Sequence, residues 1–227
     1  GIHIMRKLVL LGMIMVLSLG TLTGCGGSEN VIKIGHKNYT EQRIVGQLFA
    51  KVIEAKTDYK TEVTEFGSTS IVFGALKEGE VDVYGEYTGT AYAALLGESG
   101  LNDPQEVYDY VKANFEEELN LYWLNEMGFN NTYTLLMRKD QAKRLGIKNI
   151  SDLGNYINKN RKKLVVGVGA EFWERPDGFK PLMKLYGFSI PYNRLKVMDD
   201  GLVYKALKDK HVDVSVGFAT DGRISSF

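Results

Sequence analysis

Val81-Asp-Val-Tyr-Gly-Glu-Tyr-Thr-Gly-Thr90 is the stretch of sequence that decides the fold. Val81 and Val83 alternate with other residue types, which is the period-two pattern of a strand, and Gly85 then allows the backbone to turn. We therefore expect the residues after Gly85 to lie at the carboxyl end of a strand. In open α/β sheets ligands bind at that edge, because the loops there converge on a crevice.

The same phrase recurs later in the chain. Ala75-Leu-Lys-Glu-Gly-Glu-Val-Asp-Val83 is echoed 131 residues further on by Ala206-Leu-Lys-Asp-Lys-His-Val-Asp-Val214. Residues 67–70 and 199–201 precede the two copies and resemble glycine-containing helix starts. Two similar helix–turn–strand units predict two similar lobes, with matching loops that line a crevice between them.

Both halves of the sequence alternate between strand-like and helix-like segments, which predicts parallel sheets with right-handed crossovers. In the first half we expect strands over 31–34, 61–65 and 81–84, and helices over 41–56, 70–77, 90–96 and 104–118, the first of them capped by Asn38 or Thr40. In the second half we expect strands over 132–137, 164–168, 195–197 and 212–216, and helices over 139–145, 151–158, 178–186 and 202–208. The predicted fold class is α/β, with lobe one over 31–132, lobe two over 133–222, and a mostly parallel sheet flanked by helices in each.

Charge and composition exclude several partners and chemistries. Lysine plus arginine equals aspartate plus glutamate at 28 each, so no overall field would attract nucleic acid. The sequence has one cysteine, which excludes intramolecular disulfides and thiolate metal clusters. We expect no nucleic-acid partner, no metal, no cofactor, and a monomer.

The N-terminal segment is predicted to be a targeting signal. Met5-Arg-Lys7 supplies positive charge, and the apolar run over 8–19 has signal-peptide length, which is too short for a good transmembrane helix. Leu22-Thr-Gly-Cys25 resembles a bacterial lipobox, in which the cysteine is lipidated and begins the mature protein. We predict a signal peptide over 1–25, in which 1–4 resembles a cloning scar or a mis-assigned start, then a tether over 26–30. The protein would be lipid-anchored at the extracytoplasmic face of a bacterial membrane.

Catalysis is poorly supported by the residue types present. The sequence has no Gly-x-Ser-x-Gly elbow, and Gly167-Val-Gly169-Ala-Glu-Phe172 lacks the third glycine of a dinucleotide fingerprint. His211 falls in a helix–strand turn, where a solvated side chain is the simplest interpretation. We therefore interpret the chain as a binding protein and not as an enzyme.

Two tyrosines suggest the kind of ligand. Tyr87 and Tyr133 fall where strands end or begin beside the expected crevice. Electron-rich ring faces attract a quaternary ammonium by about 0.5 to 2 kcal/mol each when desolvated. The chain has 13 tyrosines, most of which will serve packing, so either residue alone is weak evidence for an organic cation.

Four motifs resemble the substrate-binding proteins of glycine betaine, carnitine, choline and proline betaine ABC transporters. They are Gly35-His-Lys-Asn-Tyr-Thr-Glu-Gln42, Gly85-Glu-Tyr-Thr-Gly-Thr-Ala91, Gly169-Ala-Glu-Phe-Trp-Glu-Arg-Pro-Asp-Gly178 and Val216-Gly-Phe-Ala-Thr-Asp-Gly222. The resemblance runs from Val31 to the end. It implies a two-lobed periplasmic-binding fold of type II that closes on a compatible solute and delivers it to a membrane permease for osmoprotection.

The resemblance also implies a set of binding residues. An aromatic cage holds the quaternary ammonium in that family. Tyr87 and Tyr133 match cage tyrosines, and Phe218 stands where the family usually has a third tyrosine. A phenyl ring keeps the surface that faces the cation and loses only the phenol.

Polar positions of the family are matched as well. Arg175 matches an arginine that clamps a carboxylate in some members, a task that suits its planar fork. Lys37 and Thr90 match further polar contacts, and Gln42 is a substitute for Lys37. Without the family motif, Arg175 and Glu171 would be interpreted as a surface ion pair.

Family members continue past this point into lobe one, with a Pro-Pro-Tyr segment that supplies another ring. The resemblance therefore implies that residues 223–227 begin a return to lobe one and that the chain is truncated at its C-terminus. Loss of one ring would weaken binding by about 1 to 2 kcal/mol. Two alternatives stay open: a two-lobed binding protein for another small ligand such as an amino acid or oxyanion, and an enzyme acting on a small amine.

Overall fold

The computed structural model of the protein describes residues 30–160 and 163–226. The predicted signal peptide, the lipobox with Cys25, and all of the tether except its last residue lie outside this part of the chain. Within it, none of the helices combines the length and the apolar character needed to span a bilayer.

The first half of the chain forms a three-stranded parallel sheet in the order β2-β1-β3. Its elements are β1 (Val31–Lys37), α1 (Thr40–Lys56), β2 (Lys60–Phe66), α2 (Thr69–Lys77), β3 (Val83–Tyr84), α3 (Thr88–Thr90) continued by a π-helical turn (Ala91–Leu95), and α4 (Pro104–Leu119). Because the three strands are parallel, the segments that follow Lys37, Phe66 and Tyr84 leave from one edge of the sheet.

The second half forms a four-stranded sheet in the order β4-β7-β5-β6. Its elements are β4 (Tyr133–Met137), α5 (Lys139–Leu145), α6 (Ile150–Lys159), β5 (Val166–Gly169), α7 (Ala170–Glu174), α8 (Phe179–Leu185), a 3-10 turn (Tyr192–Arg194), β6 (Leu195–Met198), α9 (Val203–Lys208), β7 (Val214–Phe218) and a final 3-10 turn (Gly222–Ser226). β5 pairs in parallel with β6 and β7, whereas β4 runs antiparallel to β7. The start of β4 therefore lies at the same edge as the ends of the other strands. The predicted α/β class with mostly parallel sheets is confirmed.

The two copies of the Val-Asp-Val phrase make the same hydrogen bonds in the two sheets. Asp82 donates its backbone N–H to the Lys33 carbonyl at 2.8 Å and accepts the Lys33 N–H on its carboxylate at 2.7 Å. Asp213 does the same to Val165, at 2.7 Å and 2.8 Å. A side-chain oxygen thus takes the place of a backbone acceptor just before the start of β3 and of β7. This explains why β3 and β7 begin two residues later than the alternation predicted.

Two local expectations were wrong. The helix predicted over 90–96 begins as the short α3 and continues as a π-helical turn, Ala91–Leu95. Neither Asn38 nor Thr40 caps α1; Tyr39 occupies the N-cap position, and its side chain makes no capping hydrogen bond. Tyr39 is instead buried, with 6% of its surface exposed, because its ring packs in the region between the two sheets.

The second sheet carries the larger apolar core. Val166 and Val168 of β5 and Val214 and Val216 of β7 are buried against α6 to α8. Around the first sheet, the π-helical turn packs against α4, where Val111 has no exposed surface. The core of the second sheet packs against β5 and β7 as far as the region where the polar and aromatic loops begin.

The connection between α7 and α8 depends on a close backbone approach. A Cβ on Gly178 would lie 2.0 Å from the carbonyl oxygen of Phe172. Because a backbone oxygen cannot move aside as a side chain can, we expect Gly178→Ala to lower the free energy of unfolding by about 1 to 3 kcal/mol. Urea denaturation measures this change.

Gly74→Ala is the matched control for this substitution. A Cβ at that position of α2 meets no atom within 4 Å, and alanine is favoured over glycine in a helix interior by about 0.5 to 1 kcal/mol. The control variant should be as stable as the original protein or more so. Equal stability of the two variants would show that the contact at Gly178 is relaxed in solution.

Candidate functional site

Aromatic rings from both sheets meet between their facing edges. Tyr39, which follows β1, stacks on Phe218 at the end of β7, with ring centroids 4.7 Å apart and planes inclined by 24°. Tyr133 at the start of β4 lies 5.2 Å from Phe218 and stacks on Phe172 of α7 at 4.1 Å. We call these four rings and Tyr87 the aromatic cluster.

The strand register explains why two of these rings are neighbours. Tyr133 and Phe218 are directly paired in the antiparallel β4–β7 ladder. Residues paired across a ladder point to the same face of the sheet, so their rings are held side by side by backbone geometry. Phe172 is placed beneath Tyr133 because α7 begins immediately after β5.

Tyr87 joins the cluster from the first sheet through its hydroxyl group. It donates to the Glu41 carboxylate and accepts from Gln42 Nε2 at 3.4 Å, and the Tyr39 hydroxyl is close enough to influence its pKa. Burial and then the hydrogen bond to Glu41 raise the pKa of Tyr87 to about 12. Asn131 Nδ2 donates to the same Glu41 oxygen at 2.9 Å. The position of the Tyr87 ring is therefore fixed through its hydroxyl group, which contacts the Gln42 amide and the Glu41 carboxylate.

Lys37 at the end of β1 forms a buried ion pair. Its ammonium lies 2.6 Å from Glu86 Oε1, and the two side chains are only 6% and 5% exposed. Glu86 Oε2 also accepts the Tyr84 hydroxyl at 2.8 Å. The Lys37 ammonium is 5.4 Å from the centroid of the Tyr87 ring, so one cation already faces this part of the cluster.

Gln42 is completely buried and supports this arrangement. Its Oε1 accepts the Lys37 backbone N–H at 3.3 Å, and its Nε2 donates to the Gly85 carbonyl at 2.9 Å. Gln42 thus ties the end of β1 to the loop that carries Tyr87. The contacts made by Gln42 are structural, and they position two of the predicted site residues.

Arg175 connects the two halves of the molecule. Its Nη1 donates to Thr90 Oγ1 at 2.7 Å, and its Nη2 donates to the Gly89 carbonyl at 3.3 Å. The guanidinium also holds Asp177 in a bidentate pair at 2.7 and 2.8 Å, and it lies 5.2 Å from the centroid of the Tyr133 ring.

The burial of Arg175 corrects one interpretation. Its side chain is 5% exposed and Glu171 is 3.8 Å away, so Arg175 and Glu171 are not a surface ion pair. Burial lowers the pKa of Arg175, but the hydrogen bond to Asp177 and the charges nearby outweigh it and raise that pKa. In this structure the guanidinium is fully engaged with protein groups, and its predicted role as a carboxylate clamp stays a prediction.

Several residues of this region were not singled out from the sequence. Tyr39 lies inside the first quoted motif and directly after a strand, so the argument that selected Tyr87 also applies to it. Phe172 lies inside the third motif, where only its polar neighbours were considered. Asp200 follows β6, and burial and then the carboxylate of Glu171 raise its pKa to about 7. Thr69, at the start of α2, has a buried hydroxyl without a hydrogen-bond partner among the described residues.

The arrangement is suited to an organic cation. Stacked rings present electron-rich faces, and the acidic side chains of Glu41, Glu86, Glu171 and Asp200 lie around them. Across residues 30–160 and 163–226, no group of three His, Cys, Asp or Glu side chains is arranged to hold a metal ion. A ligand that carries a positive charge and no hydrogen-bond donor at its head group can be enclosed by such rings.

Comparisons with known proteins show which family the chain resembles. A family model described as the substrate binding domain of ABC-type glycine betaine transport systems matches residues 30–227. A carnitine transport binding protein of Listeria monocytogenes is 37% identical over 225 residues, which cover 97% of this chain and 71% of that protein. A glycine-betaine-binding protein of Pseudomonas aeruginosa is 35% identical over 86% of this chain and 64% of its own length.

A solved structure supports the same relationship. The crystal structure of a glycine betaine/carnitine/choline ABC transporter protein superposes with a TM-score of 0.63 at 29% identity, covering 86% of this chain and 71% of the other. The arrangement of sheets described above is therefore shared with a solved member of a transport system.

Proposed function

The chain belongs to the family of substrate-binding domains of ABC-type glycine betaine transport systems, and from this premise we propose that it captures a quaternary ammonium solute between its two sheets. The solute is then delivered to the membrane permease of an ABC transporter. Glycine betaine, carnitine, choline and proline betaine share the head group that defines this class. The observation that carries the proposal is the aromatic cluster, to which both sheets contribute rings.

The contacts within the aromatic cluster suggest how capture proceeds. Tyr39 and Phe218 come from different sheets and touch at 4.7 Å, so a head group that enters between them must separate the two rings. The rings then close on the ligand, and closure removes water from the charged head group. Because attraction between a cation and a ring is stronger when both are desolvated, closure and binding favour each other. The closed form is the one that the permease would recognise.

The predicted site residues have distinct roles in this proposal. Tyr87, Tyr133 and Phe218 contact the head group together with Tyr39, while Gln42 positions Tyr87. The hydrogen bond from Arg175 Nη1 to Thr90 Oγ1, at 2.7 Å, links the two halves of the chain. If a carboxylated ligand is bound, Arg175 or Lys37 must exchange one protein partner for the ligand. The lipid anchor at Cys25, osmoprotection and a monomeric state complete the proposed picture of an extracytoplasmic binding protein.

Isothermal titration calorimetry with a panel of solutes tests the proposed function. Glycine betaine, carnitine, choline and proline betaine are titrated in parallel into the purified protein, with glycine as an ordinary amino acid without the methyl groups. We expect at least one quaternary ammonium solute to bind and glycine not to bind. Binding of glycine in preference to all four would favour the alternative of a different small ligand, and conversion of a bound solute would favour an enzyme.

A further inference from the structure

Asp200 is a partly buried carboxylate that neither the family motifs nor the proposed capture step uses. It follows β6 at the edge of the second sheet from which the aromatic cluster projects. The position of a Cβ on Gly169 would fall 1.5 Å from Asp200 Oδ1. The Asp200 carboxylate therefore fills the space that any side chain at position 169 would need. It can lie there because the residue at the end of β5 is a glycine. The backbone N–H of Glu171 lies close enough to the same carboxylate to lower its pKa in part.

The charged groups around Asp200 come from three directions. Glu171 of α7 and Asp199 of the same loop act on it as like charges, and Lys37 acts on it from the first sheet. Burial raises the pKa of the Tyr133 phenol of β4 most, the charge of Glu171 raises it next, and the charge of Asp200 raises it further. Asp200 thus lies within electrostatic range of both the aromatic cluster and the opposite sheet.

The cations of this region are already paired. Lys37 holds Glu86 at 2.6 Å, and Arg175 holds Asp177 at 2.7 Å. Neither pair includes Asp200. Ionised Asp200 therefore adds negative charge beside the aromatic cluster. A ligand with a net positive charge would neutralise that charge, whereas the carboxylate of a zwitterion would be repelled by it.

We propose that Asp200 determines the charge class of the ligand, favouring solutes with a net positive charge, such as choline, over zwitterions such as glycine betaine. This inference rests on the proposed function, since it concerns the choice among quaternary ammonium solutes. Both solutes offer a trimethylammonium group to the rings, and they differ in the hydroxyl or carboxylate that follows. A partly buried carboxylate attracts the positively charged choline and repels the carboxylate end of glycine betaine.

The choice between the two ligands should depend on pH. Asp200 has a pKa of about 7, so above pH 7 its carboxylate is ionised and prefers choline. Below pH 7 it is protonated, its repulsion of the glycine betaine carboxylate is lost, and the preference for choline declines. Neither ligand titrates in this range, so a change in the ratio of affinities reports on the protein.

Titration calorimetry on the original protein and on Asp200→Asn tests the inference, with choline and glycine betaine at pH 8 and pH 6. We expect the ratio of choline affinity to glycine betaine affinity to fall about tenfold in Asp200→Asn at pH 8, a size typical of one nearby charge in a partly buried site. The same ratio should fall in the original protein between pH 8 and pH 6, and it should stay constant in Asp200→Asn. Asp209→Asn, which removes an exposed charge of the second half of the chain, should leave the ratio unchanged.

The outcomes separate this inference from the proposed function. A ratio within twofold of the original in Asp200→Asn at pH 8 would overturn the role of Asp200. If that variant does not fold, the pH profile of the original protein decides, because a constant ratio between pH 8 and pH 6 would overturn it as well. Failure of both solutes to bind the original protein would instead refute the proposed quaternary ammonium function.

Discussion

Replacing Tyr133 by alanine should weaken the binding of a quaternary ammonium solute by about 30-fold. A desolvated cation–ring contact contributes about 2 kcal/mol, and every 1.4 kcal/mol changes the affinity tenfold. Tyr133 is central to the aromatic cluster, because its ring touches Phe218 at 5.2 Å and Phe172 at 4.1 Å. Truncation therefore removes one contact with the ligand and loosens two others. Calorimetry with the tightest ligand of the panel measures the loss.

Tyr133→Phe is the matched control for that substitution. It retains the ring and its stacking and removes only the phenol, so we expect an affinity within about threefold of the original protein. Thermal denaturation should accompany both variants, because removal of a large, partly buried ring also lowers stability, by about 2 to 3 kcal/mol. A folded Tyr133→Ala variant that binds as tightly as Tyr133→Phe would show that the ring does not contact the head group.

Replacing Lys37 by methionine should lower the free energy of unfolding by about 3 to 5 kcal/mol. The substitution leaves the Glu86 carboxylate without its cation at a place where only 5% of the side chain is exposed. A buried charge that loses its partner is costly, whereas the intact pair contributes little net stability. Urea denaturation with and without the substitution measures the difference.

A second substitution separates the cost of the stranded charge from that of lost packing. In Lys37→Met combined with Glu86→Gln, no ionised group remains at the pair, and glutamine can still accept the Tyr84 hydroxyl that Glu86 accepts at 2.8 Å. We expect the double variant to recover most of the lost stability. A double variant that is less stable than Lys37→Met alone would contradict the assignment of a buried, mutually compensated pair.

The repeated Val-Asp-Val phrase made much of the fold predictable. Periodicity located every strand of the two sheets, since apolar alternation depends on burial and the same burial defines the cores. The starts of β3 and β7 were not predicted, because Asp82 and Asp213 replace backbone acceptors by their carboxylates. A hydrogen bond between distant segments leaves no trace in local periodicity.

The site was predictable only in part, for a similar reason. Tyr87, Tyr133 and Phe218 were selected by their positions at strand ends and by motif resemblance, and the structure brings the last two into direct contact. The hydrogen bond from Arg175 to Thr90 could not be predicted, since it depends on how the two halves meet. Asp200 was overlooked because the position of its carboxylate depends on the absence of a side chain at Gly169, far away in sequence.

The central claim is that the aromatic cluster recognises the positive charge of a quaternary ammonium group. The most direct measurement compares choline with 3,3-dimethylbutan-1-ol, which has the same shape with a carbon atom in place of the charged nitrogen. If the rings and acidic side chains recognise charge, calorimetry should show that choline binds at least about 30-fold more tightly than the neutral analogue. Equal affinities for the two would contradict the claim, because the cluster would then be a hydrophobic pocket that senses shape alone.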